Sequence, residues 1–381
     1  MNKNYSIRKK CIICNSNLKL TNNIKNFPVY MGVSKRKYTE DINVDMKIGT
    51  CIKCGLSQMI NLIKLSILYQ NNHNDAVGNR WEDHHNKFSK FVLENCGKSI
   101  LEVGGGFGKI ANKCITKTKI KKWFFYEPNI NKKLKKILVS PKIEIINKQK
   151  TLKNIDKVDT IVHSHVLEHF YDPISELLTL ANFLKDDGNM IIAVPNIQEM
   201  LKKNMTNAYN FEHTYFINLD VLKKIFLLSN FKIEKKINYD EYIFFINIKK
   251  STIKQKYEIN LNFSNTNYYV SNFIKNIKSI TLIINKELKK YEKNKKYIFG
   301  SHIFTIFLLK MGLKEDYFEF VLDNSKIKNN KRLYGTKLIT KYPKILKYQK
   351  KPPVVILKTG LYDQEIKKDI IQNINGNCIF I

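Results

Sequence analysis

The sequence predicts an α/β fold in three parts: a small cysteine-bearing module, a central domain around a parallel sheet, and a smaller parallel-sheet domain at the end. Three observations support this. A buried strand from Ser99 to Val103 runs into a glycine-rich turn and a helix that starts near Lys109. Strand and helix patterns alternate beyond it, and two Cys-x-x-Cys pairs stand near the start. We place the parts at residues 1–68, 69–250 and 296–381, with a linker and docking helix at 251–295.

The glycine-rich turn carries the pattern Glu102-x-Gly104-x-Gly106-x-Gly108. Glycine has no Cβ, so a ligand can approach such a backbone closely. A dinucleotide-binding turn would need another glycine three residues after Gly106, where this chain has Lys109. The pattern instead resembles the first motif of class I S-adenosylmethionine-dependent methyltransferases, which have a Rossmann-like core. An unrelated α/β nucleotide-binding fold is the alternative.

Later segments follow in the order of that family. Residues 123–128 read as a second strand ending at Glu127, where nucleotide-binding sheets place a carboxylate that accepts the ribose hydroxyls. Residues 158–162 read as a short apolar strand, and residues 163–169 resemble the stretch that follows the fourth strand in many methyltransferases. Residues 188–195 resemble the fifth strand. Four motifs in the right order favour a class I methyltransferase.

This resemblance implies a site for S-adenosylmethionine. Its cofactor-binding residues would be Glu102, Gly104, Gly106, Gly108 and Glu127, with His165 lining the methionine pocket through its backbone and Tyr69 covering the cofactor. Aromatic residues at positions such as Tyr69 pack into cores at least as often. A metal site made of His165, Glu168 and His169 is disfavoured, because nothing else in the sequence completes it.

The charge composition bears on possible partners. The formal net charge is +33, yet only four of the 66 basic residues are arginine. Because readers of bases and phosphates favour the arginine fork, we expect solvated lysine faces and no nucleic-acid partner. The excess positive charge would attract anionic substrates such as nucleotide diphosphates.

The sequence also bears on location. No apolar run is long enough to span a bilayer, and the first residues are too polar for a secretion signal. We therefore expect a cytoplasmic protein, in which cysteines do not form a disulfide framework.

Four of the seven cysteines form two closely spaced pairs: Cys11 with Cys14, and Cys51 with Cys54. Each Cys-x-x-Cys loop places two thiolates within reach of one metal ion, and two loops complete a tetrahedral zinc site. Asn15 and Gly55 follow the pairs, as expected where the chain turns tightly. A redox dithiol is the rival, but thioredoxin-like sites have one pair. We therefore predict a structural zinc ion, with no coordination position open for catalysis.

A four-cysteine module ahead of a class I core makes the chain resemble the nucleotide-sugar C-methyltransferases, which methylate C3 of 4-keto deoxysugars. Residues 211–216 correspond to that family's Glu-His segment. The resemblance implies that His213 is the base that forms an enolate and that Glu212 orients the substrate or raises the basicity of His213. A structural histidine capping a strand is the alternative for His213. The implied partner is a nucleotide-sugar, and the implied assembly is a monomer or homodimer.

The chain departs from that family at three places. Residues 69–81 and 240–245 replace family segments near the substrate, and the last domain has only Gly300 after its first strand. The sequence therefore does not decide whether the methyl acceptor is carbon or oxygen. The alternative function is an O-methyltransferase that acts on a sugar or surface-polysaccharide precursor. A hypothesis from a different functional class is that the protein is a zinc-anchored scaffold or a nucleic-acid-binding protein with a vestigial cofactor site. The intact turn from Glu102 to Gly108 and the acid Glu127 count against it.

Periodicity predicts the remaining elements. Helices are expected at 81–92, 219–229, 268–295, 303–311 and 364–374, and strands at 231–237, 242–248, 296–299, 317–322 and 354–357. The order in the last domain predicts a small parallel sheet that completes the cleft for the nucleotide. Lys326 and Arg332 are candidates for contact with its diphosphate.

Overall fold

The computed structural model describes residues 4–69, 78–127, 138–146, 155–251, 263 and 265–381. Most of the predicted linker at 251–265, and most of the 69–81 segment that departs from the family, lie outside these residues. Among the described residues, no helix is both long and apolar enough to cross a membrane.

The amino-terminal module is built from short antiparallel strands. They are β1 (Tyr5–Ile7), β2 (Leu18–Pro28), β3 (Val33–Ser34), β4 (Asn43–Cys51), β5 (Ser57–Met59) and β6 (Asn61–Ile63), followed by helix α1 (Leu65–Leu68). Strands β2, β4 and β5 form one sheet, and β1 pairs with β6. Strand β4 alternates buried Val44, Met46 and Ile48 with half-buried residues, so one face of the sheet packs on the core.

The central domain contains a seven-stranded sheet. Its strands are β7 (Ser99–Val103), β8 (Lys122–Tyr126), β9 (Ile143–Ile146), β10 (Val158–Ser164), β11 (Leu184–Pro195), β12 (Phe231–Asp240) and β13 (Ile243–Lys250). The helices are α2 (Asn79–Asn95), α3 (Lys109–Cys114), α4 (Pro173–Ala181), α5 (Ile197–Lys202) and α6 (Leu219–Leu228). The strand order is β12-β13-β11-β10-β7-β8-β9, and β13 runs antiparallel to both of its neighbours. This arrangement confirms the predicted class I methyltransferase fold.

The strand order creates a crevice at the middle of the sheet. From β7 the chain proceeds outward through β8 and β9, and then returns to place β10 on the other side of β7. Ligands of open α/β sheets bind beyond the carboxyl ends of the strands at such a reversal. The residues that follow β7, β8 and β10 therefore share one site, although they are far apart in sequence.

The last part of the chain combines a long helix with a second sheet. Helix α7 (Asn265–Lys289) precedes β14 (Lys296–Phe299), α8 (Ile303–Lys310), β15 (Phe320–Leu322), β16 (Arg332–Leu333), β17 (Thr340–Lys341), β18 (Val354–Ile356), α9 (Asp363–Asn373) and β19 (Ile379–Phe380). The sheet order is β17-β15-β14-β18-β19, with every pairing parallel. The predicted parallel sheet is confirmed, whereas the domain borders stay predictions. The strand expected from Tyr317 starts three residues later, because Glu315–Tyr317 forms a 3₁₀ turn.

The three parts share one hydrophobic core. Phe27 of β2 is fully buried, with its ring centroid 6.0 Å from that of Phe211 and 5.6 Å from that of Phe307. It therefore contacts the predicted catalytic segment on one side and helix α8 on the other.

A buried ion pair also joins the first and last parts. Strand β16 pairs with β3, and Arg332 contacts Asp41 with two hydrogen bonds, of 2.5 and 2.7 Å. The side chains are only 10% and 1% exposed. Because its guanidinium is engaged here, Arg332 is not free to bind a diphosphate, and that prediction is wrong. Lys326 lies exposed on the last domain.

We expect Asp41→Asn to lower the free energy of unfolding by about 3 kcal/mol, because it leaves the buried Arg332 charge uncompensated. Glu234→Gln is a matched control, since it removes a carboxylate from an exposed pair with Lys232 and should change stability by less than about 0.5 kcal/mol. Denaturant unfolding of both variants measures the difference. Equal effects would contradict a structural role for the buried pair.

Candidate active site

The glycine turn after β7 combines a tightly packed position with an open one. Gly104, Gly106 and Gly108 have φ angles of +66°, +54° and +68°, a backbone region that residues other than glycine rarely adopt. A Cβ at Gly104 would lie 2.7 Å from Cγ2 of Val166, so packing requires glycine there. A Cβ at Gly106 would meet no described atom within 4 Å. The backbone at Gly106 is therefore open to a ligand, and Gly108 immediately precedes helix α3.

Glu127 lies beside this turn. It directly follows β8, the neighbour of β7, and its Oε2 accepts a hydrogen bond of 3.0 Å from the backbone N–H of Gly106. The predicted ribose-binding carboxylate and the glycine turn are thus brought together at the carboxyl edge of the sheet.

Glu102 lies beneath the turn rather than in the crevice. Its side chain is buried, and its Oε2 accepts a hydrogen bond of 3.0 Å from Nε1 of Trp123. Burial raises the pKa of Glu102 to about 8, and the Glu127 charge adds to the rise, while the Trp123 hydrogen bond opposes it. A Cβ on Gly105 would approach the Glu102 carboxyl carbon to 2.9 Å. Glu102 therefore supports the turn from below.

His165 lies on the opposite wall, just after β10. Its φ angle is +55°, and its Nδ1 is 3.1 Å from Oε1 of Glu168. The ring also lies against Trp81 of helix α2, with 5.3 Å between the ring centroids. Burial lowers the pKa of the neighbouring His84 to about 2, so this aromatic wall carries no charge from His84 at neutral pH.

Glu212 and His213 lie in a loop, residues 210–216, which we call the predicted catalytic loop. Their backbone N–H groups both donate to Oδ1 of Asn210, at 2.7 and 3.2 Å. This Asx-type turn satisfies the two donors locally and replaces the strand ladder. The two side chains therefore need not point in opposite directions.

The amino-terminal module holds this loop in place. Met59 N donates to Thr214 O at 2.8 Å, and Phe216 N donates to Ser57 O at 3.0 Å, so the loop extends the edge of β5. Buried Arg8 donates to Thr214 O at 2.8 Å and to Tyr171 O at 2.6 Å. Burial lowers the pKa of Arg8 to about 10, so it stays protonated at neutral pH. Sequence analysis missed Arg8, because no local pattern marks a guanidinium that binds remote carbonyls.

The His213 ring is oriented by a backbone carbonyl. Its Nδ1 lies 3.0 Å from the Ala208 oxygen, which can only accept, so Nδ1 carries the hydrogen and Nε2 has a free lone pair. Burial lowers the pKa of His213, although Glu168 and the Ala208 carbonyl oppose this. The neutral ring can therefore accept a proton at Nε2 near neutral pH.

Further polar groups surround His213. The His169 ring centroid is 5.5 Å away, His169 Nδ1 is 3.2 Å from the Tyr69 hydroxyl, and His169 Nε2 is 3.8 Å from Oε2 of Glu212. Burial disfavours the charged form of Glu168, but the His165 hydrogen bond and nearby histidines hold its pKa at about 2. We call Tyr69, Glu168, His169, Glu212 and His213 the His–Glu cluster.

The structure thus places Tyr69 against His169. Its burial raises its pKa, and nearby charges, led by Glu212 and including Glu127, raise it further. Tyr69 therefore lies beside the segment that follows β10.

The four paired cysteines converge at the start of the chain. The Sγ atoms of Cys11 and Cys54 are 3.6 Å apart, those of Cys14 and Cys51 are 3.4 Å apart, and all four lie within 4.8 Å of one another. These distances are too long for disulfides, in which the sulfurs are about 2.05 Å apart. Asn15 and Gly55 have φ angles of +55° and +76°, as expected for tight turns after each pair.

Two cavities accompany these groups. One of about 280 Å³, here called the basic cavity, is lined by Val29, Tyr30, Val33, Ser34, Lys35, Arg36, Ile42, Ile67, Lys331 and Tyr334. Ile67, which lines this cavity, lies two residues before Tyr69, whose hydroxyl contacts His169. A cavity of about 790 Å³ lies at the opposite, amino edge of the central sheet, away from the crevice, and we place no site there.

Comparison with known proteins agrees with this geometry. A family model described as a methyltransferase domain matches residues 73–236. Similar solved structures include an S-adenosylmethionine-dependent methyltransferase from Mesorhizobium loti, with 10% identity and a TM-score of 0.37, over 44% of this chain and 98% of that one. No curated protein matches the chain.

Two further similar structures come from Burkholderia thailandensis, a 1,6-didemethyltoxoflavin-N1-methyltransferase and an O-methyltransferase family protein. Each is 11% identical with a TM-score of 0.36 over 45% of this chain, covering 81% and 57% of the respective relative. The assignment depends on the family model and the strand order. A methyltransferase-domain model therefore matches residues 73–236, and the strand order agrees with a class I methyltransferase fold, which together support an S-adenosylmethionine-dependent methyltransferase.

Proposed function

We propose that this methyltransferase acts on carbon, and that its substrate is a nucleotide-activated keto-deoxysugar. The observation that carries the proposal is the His213 ring, whose Nδ1 is fixed on the Ala208 carbonyl and whose Nε2 is free to take a proton. Carbon becomes a nucleophile only after a proton next to a ketone is removed, so a fixed neutral base suits this chemistry.

The crevice fits S-adenosylmethionine because the backbone at Gly106 is open and the Glu127 carboxylate lies beside it. Gly104, Gly106 and Gly108 would hold the cofactor at the turn, and Glu127 would accept the ribose hydroxyls. His165 and Tyr69 would line the methionine side. When bound, this cofactor supplies an electrophilic methyl group on a sulfonium.

The His–Glu cluster would perform the proton transfer. His213 Nε2 accepts the proton from the carbon beside the ketone, and the electron pair of that C–H bond moves into the enolate. The ionised Glu168 stabilises the imidazolium that forms. Glu212 and the Tyr69 hydroxyl, which lie on either side of His169, would orient the sugar.

The basic cavity would bind the nucleotide end. Lys35, Arg36 and Lys331 supply three cationic side chains for a diphosphate, and Tyr30 and Tyr334 offer aromatic rings. The cavity is linked to the His–Glu cluster through Ile67, which lines it and lies two residues before Tyr69. A diphosphate held there would direct the attached sugar toward His213.

The four cysteines would hold a structural zinc ion. A tetrahedral site with Zn–S distances of about 2.3 Å needs sulfurs about 3.8 Å apart, close to the separations of 3.4 and 3.6 Å found here. Strand β5 begins three residues after Cys54 and hydrogen-bonds the catalytic loop. The ion would therefore stabilise the position of His213 at a distance.

Cofactor binding at the glycine turn can be tested with Gly106→Asn. Asparagine tolerates positive φ, so the fold should persist, but its side chain fills the open side of the turn. We expect S-adenosylmethionine affinity, measured by calorimetry, to fall roughly tenfold or more. Gly360→Asn is the control, because Gly360 also lies in the left-handed region, with a φ of +72°, but belongs to the last domain. Unchanged affinity in Gly106→Asn would remove the turn from the cofactor site.

The base can be tested by exchange of the substrate's α proton in heavy water, with S-adenosylhomocysteine in place of the methyl donor. The wild type should exchange this proton of a nucleotide-linked 4-keto sugar. His213→Asn should slow the exchange by about 10²–10⁴-fold while leaving cofactor affinity unchanged. Methyl transfer by a wild type that catalyses no exchange would contradict the proposal and favour transfer to oxygen.

The zinc proposal predicts one zinc ion per chain in the purified protein. Cys51→Ser should lose the ion and also lose turnover, because β5 no longer holds the catalytic loop. Cys378→Ser changes a cysteine outside the cluster and should keep both. Elemental analysis and turnover measure the two effects. A folded, active wild type that contains no metal is the contradicting result.

A further inference from the structure

The catalytic loop completes a set of metal-binding side chains that the sequence alone left incomplete. Glu168, His169 and His213 each offer one ligand atom, and these three atoms lie within 4.8 Å of one another. Glu168 and His169 follow β10, whereas His213 arrives from the loop more than forty residues later. We propose that this triad binds a divalent transition-metal ion, and that the ion inhibits the enzyme by occupying the base.

The orientation of His213 supports a metal site. Its Nδ1 donates to the Ala208 carbonyl, so its Nε2 lone pair can bind a metal ion, and His169 lies beside it with 5.5 Å between the ring centroids. Metal-binding histidines are usually fixed in this way by a hydrogen bond at the other ring nitrogen.

An independent observation concerns the carboxylate. Glu168 is fully buried, and its Oε1 contacts Nδ1 of His165. Its Oε2 is buried and has no hydrogen-bond partner among the described residues. A buried carboxylate oxygen without a donor is costly, and a bound cation would compensate it. The Glu212 carboxyl, with Oε2 3.8 Å from His169 Nε2, lies close enough to approach the same ion.

The donor set indicates which ions bind. Two imidazole nitrogens and one carboxylate suit Zn²⁺, Co²⁺, Ni²⁺ or Fe²⁺, whereas Mg²⁺ and Ca²⁺ prefer oxygen ligands throughout. The site differs from the four-cysteine site, which offers only sulfur.

The inhibitory effect rests on the proposed function of His213. A metal ion at Nε2 uses the lone pair that would accept the substrate proton, so one ring cannot do both. Binding of the ion therefore stops α-proton exchange, and removal of the ion restores it.

Cobalt(II) is the probe, added to protein that already carries one zinc ion per chain. We expect one further equivalent to bind, with weak d–d absorption and no thiolate charge-transfer band. Glu168→Gln and His169→Asn should each weaken Co²⁺ binding at least tenfold, as even outer-shell changes at metal sites commonly do. His302→Asn, a histidine at the start of α8, should bind Co²⁺ like the wild type.

The proton-exchange rate is measured on the same samples. It should fall in proportion to Co²⁺ occupancy and recover when a chelator removes the ion, with zinc content unchanged. Three results would overturn the inference: no second equivalent in the wild type, binding that survives both ligand variants, or exchange that is unaffected when the site is filled. Absence of exchange in cobalt-free wild type would instead contradict the proposed base, while the absorption titration would still decide the metal site.

Discussion

The backbone hydrogen bonds between β5 and residues 214–216 are the contact on which the proposed active site depends. The segment carrying Glu212 and His213 belongs by sequence to the methyltransferase domain, but its backbone pairs with the edge of the amino-terminal module. Loops rarely hold a side chain well unless their polar backbone groups are satisfied. Here β5 and buried Arg8 satisfy them, and the module therefore supports the proposed active site.

This dependence would give a zinc ion at the cysteine cluster a role beyond local stability. Cys51 ends β4 and Cys54 lies three residues before β5, so an ion held there would fix the strand that contacts the loop. Phe27 and the Asp41–Arg332 pair connect the same module to the last domain. The arrangement leaves the basic cavity beside the module and the cofactor crevice beside the central sheet, with the His–Glu cluster close to both.

Local sequence signals predicted much of this structure. The strand Ser99–Val103, the glycine turn and the cysteine pairs are short-range patterns, and each was located to within a residue or two. The contacts that organise the site are long-range. Arg8 and Thr214 are 206 positions apart, and the loop that carries His213 is set by an Asx turn at Asn210. A single sequence carries no information about such pairings. The candidate metal-binding triad and the role of Arg8 could therefore be recognised only from the folded structure.

The central claim is that the methyl group goes to carbon. The most direct test incubates the protein with nucleotide-linked keto and non-keto sugars and S-adenosylmethionine that carries a carbon-13 methyl group. The carbon-13 spectrum of the product separates a methyl on carbon from a methyl on oxygen. We expect a carbon-bound methyl that forms only on keto sugars. A methyl bound to oxygen, on sugars with or without a ketone, would contradict it.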